Sequence, residues 1–170
     1  MNQTKIFNFT VDKENLAVKV ERSFDAPVDL VWSAWTESEL LDQWWGPSPC
    51  HVETKSMDFS EGGKWLYAMV LPQGQKHWAT KTFSKIVPRK SYVFRSLFCD
   101  ENGKVKPGTT GSTWTNSFLE RQGVTLVTND IKCDSIEHLE AQIKMGFKEG
   151  YSIGLGQLEG LLARLTEKGK

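Results

Sequence analysis

The sequence predicts an α+β domain in which a curved antiparallel sheet wraps a single long C-terminal helix. Three observations carry this. Residues 50–132 form an almost unbroken series of strand-like segments separated by turn signals. Residues 135–166 switch to a helical period, with Ile136, Leu139, Ile143, Phe147, Tyr151, Leu155, Leu158, Leu162 and Leu165 recurring every three or four positions. The connections between the strand segments are short, which makes sequential strands antiparallel neighbours.

The elements follow in order. Residues 4–11 and 15–24 read as two strands around the polar turn Asp12-Lys13-Glu14-Asn15; in the second, Leu16, Val18 and Val20 alternate with Ala17, Lys19 and Glu21. Asp25-Ala26-Pro27 opens a helix, because proline at a first helical position forfeits no hydrogen bond. Val28, Val31, Trp32 and Trp35 continue it. Thr36 with Glu39 is a capping-box pattern that starts a second short helix, which Gly46-Pro47 ends. Strands are then expected at 50–58, 64–71, 76–87, 91–98, 112–121 and 124–132, with Glu61-Gly62-Gly63, Pro72-Gln73-Gly74, Pro88-Arg89-Lys90 and Gln122-Gly123 as turns. The connection 99–111 is the longest loop. The final helix takes Asp134 as its expected N-cap and spans about 45 Å.

That helix holds Gly146, Gly150, Gly154, Gly156 and Gly160. Each costs roughly 1 kcal/mol against alanine in a helix interior, so a tertiary reason is required. Gly146, Gly150 and Gly154 share one stripe, which admits close approach of another backbone; a kink near Gly154-Leu155-Gly156 is the alternative. A bent sheet around one helix leaves space between them, and concave apolar spaces are where small molecules bind.

Length and composition bound the function. The 170 residues suit one domain, taken as 1–170, with one core. The 21 basic and 21 acidic residues cancel, which removes any whole-molecule attraction to nucleic acid or an anionic membrane. No segment approaches a membrane span, and the first residues lack the apolar core of a signal peptide, so a cytoplasmic location is expected. Cys50, Cys99 and Cys133 are odd in number and far apart, which suits reduced thiols. His51, His77 and His138 are scattered, no HExxH or CxxC occurs, and neither metal nor cofactor is expected. GxSxG, P-loop and GxGxxG patterns are absent, so the chain is read as a binding protein before an enzyme. Glu53, Asp58, Asp130 and His77 would have shifted pKa values if buried among rings.

Seven tryptophans and nine phenylalanines either fill a core or line a pocket. Strand alternation puts Trp65, Tyr67 and Met69 on one face. It does the same for Trp78 with Thr80 and Thr82, for Tyr92 with Phe94 and Phe98, and for Trp114 with Asn116 and Phe118. Met145, Tyr151 and Leu155 on the helix would form the remaining wall. The candidate ligand-binding set is therefore Trp65, Tyr67, Met69, Trp78, Tyr92, Phe94, Trp114, Asn116, Met145, Tyr151 and Leu155, with Tyr67, Tyr92 and Asn116 as the orienting polar groups. Plain core packing accounts for the same patterns, and which sheet face points inward stays open. Trp32, Trp35, Trp44 and Trp45 are read as anchors of the two short helices.

Several stretches carry a family resemblance: Arg22-Ser23-Phe24-Asp25-Ala26-Pro27, Val31-Trp32-Ser33-Ala34-Trp35-Thr36, Gln43-Trp44-Trp45-Gly46-Pro47, Met57-Asp58-Phe59 leading to Gly62-Gly63-Lys64-Trp65, and Gly150-Tyr151 before Leu155, Leu158 and Leu162. Over about residues 16–165 the chain resembles the heat-shock-protein ATPase activator-homologue (Aha-like) branch of the SRPBCC, or START-like, superfamily. The resemblance implies the helix-grip (Bet v 1-like) fold: a seven-strand-like sheet, two short helices and a long C-terminal helix closing a cavity. Ser60-Glu61, where the family usually has a basic residue, and Tyr151, where it often has tryptophan, depart from the pattern and leave the ligand unspecified. The expected function is non-catalytic binding of a small hydrophobic, aromatic or lipid-like molecule. The alternatives are a protein-interaction module that stimulates a chaperone ATPase, and a cyclase or hydrolase for an aromatic polyketide-like substrate. Monomer and homodimer are both open.

Overall fold

The computed structural model describes residues 6–168. Eight strands form one antiparallel sheet: β1 (Phe7–Asp12), β2 (Ala17–Phe24), β3 (His51–Met57), β4 (Lys64–Val70), β5 (Lys76–Val87), β6 (Ser91–Cys99), β7 (Ser112–Arg121) and β8 (Val124–Cys133). Their spatial order is β1-β2-β8-β7-β6-β5-β4-β3. The strand beyond the implied seven is β1, which pairs only with β2 at the sheet edge; the expected start of that strand at residues 4 and 5 lies outside the described residues. Turn chemistry sets the register. Gln122 and Gly123 both adopt positive φ (53° and 79°), as a two-residue hairpin that follows the sheet's twist requires, and Arg121 pairs directly with Val124.

The helices α1 (Val28–Thr36) and α2 (Ser38–Trp44) follow β2, and α3 (Ile136–Lys144) and α4 (Phe147–Lys168) follow β8. Val31, Ala34 and Trp35 of α1, Leu41 and Trp44 of α2, and Tyr151, Leu155, Leu158, Leu161 and Leu162 of α4 are buried in one core with the concave sheet face.

Three local expectations are corrected. The C-terminal segment is two helices, broken at Gly146 (φ 87°), upstream of the Gly154–Gly156 region where a kink was the alternative. The cap of α3 is Ser135, whose Oγ accepts from the His138 amide. Asp134 instead pairs with both terminal nitrogens of Arg95 and accepts from the Gly111 amide at 2.8 Å, tying β6 to the loop before β7. Thr36 does not cap α2; its hydroxyl donates to the Trp32 carbonyl at 2.8 Å, and Glu37 occupies the N-cap position without a side-chain bond.

The glycine stripe resolves position by position. A methyl group on Gly154 would sit 3.2 Å from the Trp44 carbonyl oxygen, and one on Gly150 3.6 Å from Pro47, so α4 lies directly on the chain leaving α2. Gln157 fastens the same contact: its amide nitrogen donates to the Trp44 and Gly46 carbonyls at 3.1 and 2.8 Å, and its carbonyl oxygen accepts from the Ser48 amide at 2.8 Å. Gly156 faces open space. Gly156→Ala is therefore expected to stabilise the protein by about 1 kcal/mol. Gly46→Ala, whose methyl would meet the His51 backbone at 2.8 Å, is expected to destabilise it by roughly 1–3 kcal/mol. Urea denaturation checks both signs.

Candidate functional site

Strand alternation points Ala79, Lys81 and Phe83 of β5 inward, and it brings a lysine into the aromatic interior. Lys81 is only 3% exposed. Its ammonium donates to Ser96 Oγ across the β5–β6 ladder at 3.0 Å. Four rings surround it: Phe94 at 4.6 Å, Trp45 at 5.1 Å, Tyr67 at 5.4 Å and Trp114 at 5.9 Å from nitrogen to ring centre. Among the described residues no carboxylate pairs with it. Burial pushes its pKa down to about 7, because a charged amine loses its hydration there. The ring faces act the other way, each attracting the cation.

Above Lys81 lies a cavity of about 650 Å3 between the sheet and the α3–α4 break. Its floor is Trp45, Tyr67, Ala79, Lys81, Ser96 and Trp114; Met69, Leu71, His77 and Phe98 form the strand side of the mouth. Thr110, Gly111 and Ser112 edge it, and His138, Gln142, Met145 and Phe147 complete it from the helices. The polar groups in this wall are neutral or basic; among the described residues no aspartate or glutamate contributes to it. The Trp45 indole donates to the Tyr67 hydroxyl at 3.1 Å, and burial raises the pKa of that hydroxyl, keeping it protonated. His138 lies within 3.2 Å of Thr110 Oγ1, and burial lowers its pKa. Met145 is 72% exposed and Phe98 51% exposed, so the mouth offers apolar surface to solvent.

The residues singled out from the sequence separate into groups. Tyr67, Met69, Trp114 and Met145 line the cavity. Phe94 lies behind it as part of the ring set on Lys81. Trp65 stacks on Tyr67 at 4.2 Å, its indole donating to Thr54. Tyr92, Asn116, Tyr151 and Leu155 sit deeper in the core. The Tyr151 hydroxyl donates to Asn129 at 2.6 Å, Asn129 donates to Asn116 at 2.7 Å, and the Tyr92 hydroxyl donates to the Trp35 carbonyl at 3.2 Å. These bonds tie the polar atoms to the protein itself, with the exception of the Asn116 amide nitrogen, which is buried with no partner among the described residues. Trp78 is on the opposite sheet face, its ring 5.7 Å from the Lys55 ammonium. Glu53, Asp58 and Asp130, considered as buried acids, are exposed, and Lys76 and His51 hold the Glu53 carboxyl below its usual range.

Sequence reasoning missed Lys81, Ser96, His138 and Gln142 and placed Trp45 with the structural anchors. The signal for Lys81 was present: on β5 the face opposite Trp78, Thr80 and Thr82 reads Ala79, Lys81, Phe83, a lysine inside an apolar period. Cys50, Cys99 and Cys133 are unpaired. Among the described residues no group of three His, Cys, Asp or Glu side chains could hold a metal ion, and no helix is long and apolar enough to cross a membrane.

Buried amines tie stability to pH. The folded pKa of Lys81 (about 7) lies below the free-lysine value, so its cost to the fold is fully present below pH 7 and falls as pH rises toward 10. From pH 7 to 9 the protein should gain roughly 2 kcal/mol relative to Lys81→Met, which lacks the titrating group. Parallel pH-dependent denaturation of the two proteins checks this difference, which cancels the opposing ionisation of the cysteines.

The comparisons with known proteins agree with this architecture. A protein from Mycobacterium smegmatis has a crystal structure that superimposes with a TM-score of 0.85 at 26% identity, covering 95% of this chain and 99% of that one. A solution structure from Arthrobacter aurescens gives 0.86 at 27% identity over 92% and 91% of the two chains. One from Staphylococcus epidermidis gives 0.81 at 26% identity over 91% and 94%. No curated protein sequence matches the chain. The family model described as Activator of Hsp90 ATPase homolog 1-like protein matches residues 25–163, from the turn before α1 to the last turns of α4, and the chain belongs to that START-like family.

Proposed function

We propose that the protein binds a small, largely apolar molecule in the cavity above Lys81 without transforming it. The observation that carries this reading is the cavity itself: about 650 Å3, walled mainly by rings and aliphatic side chains, with Tyr67, Lys81 and Ser96 as polar groups at its floor and a few others toward its rim. Cavities of this size and lining suit drug-sized or lipid-like compounds. Met69, Met145 and Phe147 give the wall adaptable or broad apolar surfaces.

A second reading, a module that stimulates a chaperone ATPase, is favoured by the family's description. The two readings predict different outcomes for a substitution that fills the cavity and leaves the outer surface unchanged. Ala79 lies on the cavity floor, and Trp78 next to it faces the other way. Ala79→Trp should lower the affinity for N-phenyl-1-naphthylamine, read by dye fluorescence, at least tenfold. Trp78→Ala should leave that affinity within twofold. Circular dichroism confirms that both variants remain folded. Equal affinities for all three proteins, or no saturable binding by the parent, would remove the cavity reading and leave ATPase stimulation as the one to measure.

A further inference from the structure

We infer that the molecule bound in the cavity is an apolar acid, a hydrophobic body ending in a single carboxylate that pairs with the Lys81 ammonium on the cavity floor. The inference rests on the binding reading above and deepens it. A buried ammonium is tolerated when it is paired. Lys81 lines the cavity, and among the described residues its ammonium has one hydrogen-bond partner, the neutral Ser96, beside four ring faces, so it has N–H donors without an acceptor. No carboxylate of the described residues supplies the missing counter-charge.

The rest of the floor suits the same group. The Tyr67 hydroxyl accepts from Trp45, and among the described residues nothing accepts its proton, which can therefore be donated to a ligand oxygen. His77 and His138 also line the cavity, and among the described residues its wall contains no acidic side chain that would repel an anion. Asp134, near His138, is already paired with Arg95. Most of the lining between floor and mouth is apolar, supplied by Met69, Leu71, Leu97, Phe98, Met145 and Phe147, with His77, Thr110, His138 and Gln142 interspersed, and this balance favours a hydrophobic body over a small hydrophilic anion.

The test compares acids with their own esters, which keep the body and remove the charge. Isothermal titration at pH 6.5 would use decanoate with methyl decanoate, and 2-naphthylacetate with its methyl ester. For at least one pair the acid is expected to bind ten times more tightly or better. In Lys81→Met that preference should vanish, with acid and ester binding alike, while His138→Gln should keep it. Acid and ester of equal affinity on the parent protein would overturn the carboxylate assignment and leave the cavity reading standing. A preference that survives in Lys81→Met would also overturn it, moving the charge to another residue. No binding of any of the four compounds would sink the cavity reading and this inference together. Circular dichroism of Lys81→Met guards against a folding artefact, and Lys81→Gln provides a second neutral variant with the same expected outcome.

Discussion

An amine held out of water, with no carboxylate partner among the described residues, is the constraint around which the interior is organised. Desolvating an ammonium is among the costliest acts a fold performs, and it persists only where surrounding groups offset it. Here the offset comes from geometry: four ring faces turned toward one nitrogen and a serine hydroxyl across the strand ladder. The rings that carry those faces come from β4, β6, β7 and the residue after α2, so the site exists only when the sheet is curved and the short helices are docked.

The docking of α4 supplies that last ring. Because Gly154 has no side chain, α4 lies against the Trp44 and Trp45 carbonyls, and Gln157 bonds the chain that follows them. Trp45 is thereby directed inward, into contact with Trp35, Trp65, Trp114 and Tyr151 and over Lys81. Two glycines that look like liabilities in an isolated helix thus place an indole in the cavity floor. The break at Gly146 has a different effect: it lets α3 leave the line of α4 and border the cavity with His138 and Gln142, where a continuous helix would have carried those residues elsewhere.

Much of the architecture was legible in the sequence because it follows from local rules. Strand limits at 76–87 and 112–121 coincide with β5 and β7, since alternation and turn residues agree there. The two short helices were legible for the same reason. Caps were harder: Asp134 and Ser135 both have capping chemistry for α3, and the choice between them depends on a distant partner, Arg95, that reaches Asp134 from another strand, while the Thr36 hydroxyl turns back to the Trp32 carbonyl of its own helix. The candidate site was only partly legible. Aromatic residues announce an apolar interior but not which of them surround empty space, and so Tyr67 and Trp114 could not be told from Tyr92 and Leu155. The polar centre was missed because a lysine on a strand is ordinarily read as a solvated face; only the neighbouring Ala79 and Phe83 mark its direction.

The family places this fold beside proteins of similar structure, and the fold alone does not fix what any of them binds. In this chain the cavity floor holds one cation and the Tyr67 hydroxyl, and among the described residues no acid lines it. The most direct measurement is the titration of Lys81 itself, followed by NMR through the 13Cε resonances of lysine-labelled protein, with assignment by Lys81→Met. One lysine is expected to titrate near pH 7, well apart from the surface lysines, and to move upward when an apolar acid occupies the cavity. A Lys81 resonance that titrates with the surface lysines near pH 10.4 would contradict it, showing an amine that water reaches freely.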